Sequence, residues 1–341
     1  MVVTNRAFIT GLAGPELSEA ERRFVAETRP AGLILFARNC VEADQIRRLV
    51  ADFRQAVGTS RVLVAIDQEG GRVQRLRPPL ASLLPPAAAY AAIHAGDPVE
   101  AVASAWLVAR LAAEELAGFG INMDCAPVLD LPVPGAHDII GNRAFGSDPT
   151  RVITIAGNFA DGLMAGGVVP VIKHIPGHGR AFADSHLELP VVNASREALL
   201  ANDLVPFRAL AHLPAAMTAH VVYTSLDASA PASTSAWVTA EIIRGYAGFA
   251  GLLMSDDLGM KALSGPFGER ARAVIAAGSD LALHCGGDLE EMRSVAANVP
   301  ELAGAALARF EAALAVAEAA PEPYDRDQAR RALEALLSRI A

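Results

Sequence analysis

The residues with the clearest chemical potential lie between Lys173 and His186. Lys173 and His174 are adjacent, His178 follows, and Asp184 lies two residues before His186. Three of the chain's eight histidines therefore fall within thirteen residues. One histidine alone is more often an ordinary core or surface residue. An imidazole near a carboxylate can act as an acid and as a base near neutral pH, so this concentration of ionisable groups indicates a catalytic or binding role.

The segment before this cluster predicts the element that positions it. Val168–Ile172 is a short apolar run rich in β-branched side chains, which is typical of a strand buried on both faces. Pro170 fits a strand best near its first residue, because proline lacks an N–H for the sheet. The glycines and proline of the following turn end the strand. A buried strand is thus expected to deliver Lys173 and His174 to one loop.

Seven more short apolar runs recur along the chain, separated by stretches of helical periodicity. The eight predicted strands are Ala7–Thr10, Gly32–Phe36, Val62–Ile66, Ile121–Asp124, Val168–Ile172, Ala215–Thr218, Gly251–Met254 and Asp280–Leu283. Eight strand–helix units predict a closed parallel (β/α)8 barrel, in which residues 1–341 form a single domain. An open doubly wound sheet is the alternative, but no GxGxxG motif follows the first runs.

Helix signals agree with this architecture. Asp97-Pro98 and Asp148-Pro149 each supply an N-cap followed by proline at the first helical position. The segment Asp325–Ile340 predicts an extra closing helix at the C-terminus. One helical face is predicted to be buried by Ile46, Leu49, Val50, Phe53 and Val57.

Composition limits the possible partners and compartment. The net charge is -9 and the lysines and arginines form no basic patch, which argues against nucleic acid or an anionic membrane as a partner. The three cysteines, Cys40, Cys125 and Cys285, are far apart, which favours a reducing compartment. No signal peptide or membrane-spanning run is recognisable. We therefore expect a soluble, cytoplasmic enzyme or binding protein.

Active sites of such barrels lie at the C-terminal ends of the strands, and several polar residues of this chain directly follow the predicted strands. Asp256 follows the seventh run directly, and its position favours a functional role. Asp124 could serve a site or merely hold a neighbouring loop, and Glu69 could pair with Arg72. Asp130, like Asp148, is most simply a turn or cap residue. His220 and His284 also follow predicted strands, the sixth and the eighth.

Three motifs resemble one known family. KHIPGHG with the following DSH, DQEGGRVQR and SDDLGM are similar to the family 3 glycoside hydrolases, most closely to the NagZ-type β-N-acetylglucosaminidases. The motifs occur in the family's order and the resemblance covers almost the whole chain. One departure is Ile175, where the family usually has phenylalanine; it affects packing behind the loop.

The resemblance implies a role for each matching residue. Asp256 matches the nucleophile that forms a covalent glycosyl-enzyme, His186 the general acid/base, and Asp184 the partner of that histidine. A retaining glycosidase needs such a nucleophile and such an acid. The loop Gly177–Ser185 is expected to be mobile and to bring His186 in when sugar binds. The residues that match those holding N-acetylglucosamine are Asp67, Arg75, Arg143, Lys173 and His174.

The resemblance also implies the substrate: amino-sugar muropeptide fragments, from which N-acetylglucosamine is removed during cytoplasmic cell-wall recycling, without metal or other cofactor. Three alternatives stay open. A zinc-dependent hydrolase could use His174, His178, His186 and Asp184 as ligands. A glycoside phosphorylase could exploit an imidazole that tolerates phosphate. A sugar-binding module would bind without turnover.

The two neighbouring aspartates after the seventh run are separated by strand geometry. Successive side chains on a strand point to opposite faces. Only one of the pair can therefore face the barrel axis, and the family resemblance, which places the nucleophile directly after the serine, implies that it is Asp256. Asp257 is expected to turn outward and to brace the loop that contains Gly259.

Overall fold

The computed structural model describes residues 4–185 and 187–339. The strands are β1 (Arg6–Thr10), β2 (Pro30–Leu35), β3 (Leu63–Ile66), β4 (Gln68–Gly70), β5 (Val73–Gln74), β6 (Met123–Asp124), β7 (Val169–Ile175), β8 (Val191–Val192), β9 (Ala215–Thr218), β10 (Val222–Tyr223), β11 (Leu252–Asp257) and β12 (Leu281–His284). The α-helices are α1 (Glu19–Thr28), α2 (Ala43–Val57), α3 (Ala87–His94), α4 (Pro98–Ala117), α5 (Pro149–Ala165), α6 (Arg196–Ala198), α7 (Val205–Ala209), α8 (Phe267–Ala276), α9 (Leu289–Ala297), α10 (Gly304–Ala317) and α11 (Arg326–Ser338). Two π-helical segments are Leu199–Asp203 and Val238–Tyr246.

Eight of these strands close into a parallel barrel in the order β1-β12-β11-β9-β7-β6-β3-β2. Each predicted apolar run overlaps one barrel strand, so the prediction of a (β/α)8 barrel is confirmed and the open sheet is wrong. All residues of β2, β3 and β9 are buried, as expected for strands covered by helices outside and by side chains inside. β4 with β5 and β8 with β10 form two small ribbons outside the barrel.

The helices use the predicted signals. Asp97 and Asp148 cap α4 and α5 by accepting backbone N–H groups three residues later, at 2.9 and 2.8 Å. The predicted face of α2 is buried, and the other residues of this helix are partly or fully exposed except for Gln45. Asp325 caps α11, whose prediction extended to Ile340, a residue outside the described ranges. No helix within residues 4–185 and 187–339 is long and apolar enough to cross a membrane.

The strand β7 differs from its prediction at both ends. It begins at Val169, so Pro170 is its second residue, and it runs on to Ile175. Lys173 and His174 therefore belong to the strand and not to the loop after it. The pairing of β7 with β9 shifts between Lys173 and Ile175. Such an irregularity redirects side chains at a barrel rim, and both Lys173 and His174 border the same cavity here.

Candidate active site

A cavity of about 520 Å³ opens at the C-terminal ends of the barrel strands. It is the place where active sites of this fold are found. Six of the residues singled out in the sequence line it together: Asp67, Arg75, Arg143, Lys173, His174 and Asp256. Residues separated by almost two hundred positions thus meet at one site, because barrel closure brings the ends of β3, β7 and β11 together.

Five charged side chains form a connected group at the floor of this cavity, hereafter the floor network: Asp67, Glu69, Arg75, Arg143 and Lys173. The Lys173 ammonium lies 3.0 Å from Asp67 Oδ1 and 2.6 Å from Glu69 Oε1. Arg75 Nη2 donates to Asp67 Oδ2 at 2.9 Å. Arg143 binds both carboxylate oxygens of Glu69 at 2.8 Å. The network therefore holds three cations and two anions.

The local pair that the sequence left open between Glu69 and Arg72 does not form. Glu69 binds Arg143 and Lys173, whereas Arg72 reaches Asp138 and nearby backbone carbonyl oxygens. Sequence proximity made the local pair possible, but Arg143, 74 positions away, offers a bidentate guanidinium in a buried position. Glu69 is therefore a site residue that the motif comparison did not assign.

The floor network stays ionised because its members compensate each other. Burial alone would raise the pKa of Asp67, but Lys173 and Arg75 outweigh it and hold that pKa well below its usual value. The pKa of Glu69 is lowered in the same way, mainly by Arg143 and Lys173 against burial. For Lys173, burial would lower the pKa, yet Asp67 and Glu69 raise it well above the ordinary lysine value.

Asp130 anchors the first histidine of the cluster. Its Oδ2 lies 2.6 Å from His174 Nδ1, while its Oδ1 accepts the backbone N–H groups of His174 at 3.1 Å and His178 at 2.6 Å. Asp130 is completely buried, and burial would raise its pKa; His174 and these hydrogen bonds lower that pKa to about 2. The prediction of a turn or cap role is therefore wrong for Asp130, although it is confirmed for Asp148. The position of Asp130 after β6 was the signal that could have identified it.

Asp256, at the end of β11, borders the cavity and accepts the N–H of Asp257 at 2.8 Å through Oδ1. Burial would raise its pKa, but the charges of His174 and His220, together with Lys173 and this N–H, bring the pKa below its usual value. Asp256 is therefore a carboxylate at neutral pH. An ionised carboxylate that borders a cavity is the form that a nucleophile requires.

Asp257 behaves partly as predicted. Its Oδ1 accepts the N–H groups of Gly259 and Cys285, both at 3.0 Å, so the predicted bracing of the Gly259 loop is confirmed. The predicted outward orientation is wrong, since Asp257 also borders the cavity. The pairing of β11 with β12 shifts between Met254 and Asp257, which interrupts the strict alternation of side chains.

Ser185, the neighbour of Asp184, contacts the segment that follows β7 and the segment that follows β11. His178 Nε2 lies 3.2 Å from the Ser185 hydroxyl, and the Ser185 carbonyl accepts the N–H of Ala262 at 3.2 Å. His178 is buried, which lowers its pKa to about 4, so its ring is neutral at pH 7. His186 lies outside the described residues. Its pairing with Asp184 and the mobility of this loop therefore stay predictions.

Known proteins resemble this chain over most of its length. The model of the glycosyl hydrolase family 3 N-terminal domain matches residues 5–316. The chain belongs to glycosyl hydrolase family 3. The family resemblance of the motifs is thereby confirmed, and the protein is a glycoside hydrolase.

Individual relatives agree with this membership. A beta-hexosaminidase of Alkalilimnicola ehrlichii is 44% identical over 279 residues, which are 81% of this chain and 79% of that protein. A beta-hexosaminidase of Tolumonas auensis is 42% identical over 277 residues, 80% of each chain. The crystal structure of NagZ from Neisseria gonorrhoeae in complex with N-trifluoroacetyl-D-glucosamine superposes with a TM-score of 0.87 at 32% identity, covering 98% of this chain and 99% of that one.

The remaining polar residues singled out in the sequence of this family 3 hydrolase form hydrogen bonds or ion pairs within the protein. Asp124 accepts the N–H of Gln68 at 2.9 Å and so holds the neighbouring loop; burial raises its pKa to about 7. His220 bridges the Ser233 hydroxyl and the Asp257 carbonyl, and His284 lies 3.1 Å from Glu291. In the described part of the chain, no three His, Cys, Asp or Glu side chains are grouped as metal ligands.

Proposed function

We propose that this family 3 hydrolase is a retaining exo-β-N-acetylglucosaminidase that works through a covalent glycosyl-enzyme on Asp256. The observation that carries the proposal is the ionised Asp256 in one cavity with the floor network and His174. The beta-hexosaminidase relatives and the NagZ complex with a glucosamine derivative support an N-acetylhexosaminide substrate.

In the first step, Asp256 attacks the anomeric carbon while His186 protonates the leaving oxygen. Asp184 orients the imidazole of His186 and stabilises its charged form. In the second step, His186 removes a proton from water, which attacks the anomeric carbon and releases Asp256. Two displacements at one carbon retain its configuration. The hydrogen bonds of Ser185 support this assignment, because they fix the segment between Asp184 and His186 at the cavity wall.

The floor network and His174 hold the terminal sugar in this proposal. Asp67, Arg75, Arg143 and Lys173 contact its hydroxyl or acetamido groups, and the mutual pairing of these four residues with Glu69 fixes their side chains before sugar binds. A binding group that is already ordered loses little conformational entropy on binding. The natural substrates that we propose are 1,6-anhydro-muropeptides in cytoplasmic cell-wall recycling.

The proposal is tested with a chromogenic β-N-acetylglucosaminide beside the corresponding β-glucoside. We expect faster turnover of the acetamido sugar and no dependence on added phosphate. Equal or better turnover of the glucoside would contradict the substrate assignment. Release of a sugar phosphate only when phosphate is present would identify a phosphorylase instead.

A further inference from the structure

The mouth of the catalytic cavity has a distinctive chemical character. Among the described residues that line the cavity, two are exposed, and both are arginines: Arg38 and Arg72. The floor is different, since Lys173 and Glu69 keep only 3% and 6% of their side-chain surface exposed and are paired with each other. An exo-glycosidase binds the terminal sugar at the closed end of its cavity. The aglycone then lies at the mouth, beside the two arginines.

Arg38 is held in a fixed position by neutral partners. Its Nε donates to the Leu12 carbonyl at 2.8 Å, and its Nη2 donates to the Cys285 carbonyl at 2.5 Å. Its guanidinium carbon lies 4.9 Å from the centre of the Phe36 ring. These contacts orient the guanidinium without neutralising its charge. An oriented guanidinium at a cavity mouth is suited to bind a carboxylate.

The same aromatic ring relates Arg38 to the sugar-binding floor. Arg75, a member of the floor network, also lies 4.9 Å from the centre of the Phe36 ring. Cys285, whose carbonyl binds Arg38, donates its own N–H to Asp257, the residue after the proposed nucleophile. Arg38 is therefore separated by one aromatic ring from Arg75 of the floor network, the proposed site of the terminal sugar, and lies beside the end of β11. That is where the group beyond the scissile bond must pass.

Arg72 adds a second, partly compensated charge. Its Nη2 donates to the carbonyls of Asp138 and Ile139 at 2.6 Å, and its Nη1 makes a long contact of 3.4 Å with the exposed Asp138 carboxylate. The whole chain has a net charge of -9, so a cationic mouth is a local departure from its overall charge. Because a negatively charged protein does not attract anions at long range, any attraction of an anion to this cavity must come from the local arginines.

We propose that Arg38, assisted by Arg72, forms an aglycone subsite that selects leaving groups carrying a carboxylate. This inference rests on the proposed function, because the selected group is the aglycone of a β-N-acetylglucosaminide. The carboxylate can belong to an acidic sugar or to a peptide attached to that sugar. Both present the same anion to the guanidinium.

Two aryl β-N-acetylglucosaminides that differ only in charge test the proposal. Their aglycones are 4-hydroxyphenylacetic acid and the amide of that acid; the methylene group separates the charge from the phenol, so both leave with similar ease. In the wild type, we expect kcat/KM for the acid to exceed that for the amide by on the order of tenfold at low ionic strength. The preference decreases as salt is added, since the mouth is open to solvent.

Variants assign this preference to Arg38. Arg38→Gln should bring the ratio of acid to amide close to one, and Arg38→Glu should bring it below one. Arg23→Gln, which removes an exposed arginine paired with Glu19 on α1, should leave the ratio as in the wild type. Because each ratio is measured within one variant, a general loss of activity cancels.

Equal rates for both substrates in the wild type, or an unchanged ratio in Arg38→Gln, would overturn the subsite while leaving the proposed function intact. Failure to hydrolyse either substrate would overturn the proposed function and the subsite with it. Two disaccharides then separate the sources of the carboxylate: one has a free lactyl acid on the aglycone sugar, and the other has that acid condensed with a peptide that ends in a carboxylate. The disaccharide whose kcat/KM falls more in Arg38→Gln identifies the source, and no fall for either would contradict the proposal.

Discussion

Asp130→Asn is expected to change the tautomer of the His174 imidazole and to lower kcat/KM, while the barrel stays folded. In the wild type, Asp130 Oδ2 requires a proton on His174 Nδ1, at 2.6 Å, and Oδ1 accepts two backbone N–H groups. An asparagine has only one oxygen for these three donors. If the oxygen keeps the two backbone bonds, the amide NH₂ faces Nδ1 and the imidazole must move its proton to Nε2. The nitrogen that faces the cavity then changes from an acceptor to a donor.

The size of the effect follows from the bond that is lost. A hydrogen bond to a charged group contributes about 1.5–3 kcal/mol, which corresponds to a decrease of roughly 10- to 150-fold in kcat/KM if the whole loss appears in the transition state. Since the pKa of Asp130 is about 2, the wild-type carboxylate is ionised throughout any practical assay range. The difference between variant and wild type should therefore persist from pH 5 to pH 8.

The assay is hydrolysis of a chromogenic β-N-acetylglucosaminide, accompanied by urea unfolding and by ¹⁵N NMR of the imidazole, which distinguishes the two tautomers of His174. Asp148→Asn is the matched control, because Asp148 caps α5 and asparagine caps helices equally well. We expect the control to retain wild-type kcat/KM. A kcat/KM within twofold of the wild type in Asp130→Asn, or an equal loss in both variants, would refute this role of Asp130.

Three further predictions concern the proposed chemistry. His186→Ala should slow the hydrolysis of substrates with poor leaving groups about 10²–10⁴-fold and that of activated phenyl glycosides far less. Asp184→Ala should show the same pattern more weakly. Equal losses on both substrate types would contradict the role of His186 as the acid. A fluorinated glycosyl inhibitor should label Asp256, and a label found on Asp257 by peptide mass spectrometry would reassign the nucleophile. Asp124 has a pKa raised to about 7 in the folded chain from the reference value of 3.8, so it destabilises the wild type increasingly as pH rises between these values. Urea unfolding should therefore show Asp124→Asn gaining roughly 2 kcal/mol relative to the wild type between pH 5 and pH 7, and a constant difference would contradict the raised pKa.

The barrel could be predicted because its signals are local. A strand covered on both faces must be apolar throughout, so each of the eight strands appears as a short apolar run. The ends of β7 and β11 were harder to place. Lys173, His174, Asp256 and Asp257 are polar, and polarity normally marks the end of a buried strand. Here ion pairs and hydrogen bonds compensate the buried polar groups, so the strands continue through them.

The pairing within the site could not be predicted from the residues. Asp130 meets His174 across 44 positions and Arg143 meets Glu69 across 74, and only closure of the barrel creates either contact. The family motifs imply a sugar-binding role for Arg143 and His174, but they assign no role to Glu69 and Asp130, the partners that hold these two side chains. Asp130 and Asp148 look alike in the sequence. Asp148 is followed by proline and an exposed helix start, whereas Asp130 lies among buried residues after β6.

The protonation state of Asp124 affects the charge balance of the floor network. The floor network carries one more cation than anion, and its Lys173 helps to lower the pKa of Asp256. An ionised Asp124 would cancel the excess positive charge. Below pH 7, burial keeps Asp124 protonated, so the excess cation remains and favours the carboxylate form of Asp256. Protonated Asp124 thus helps to keep Asp256, the proposed nucleophile, ionised.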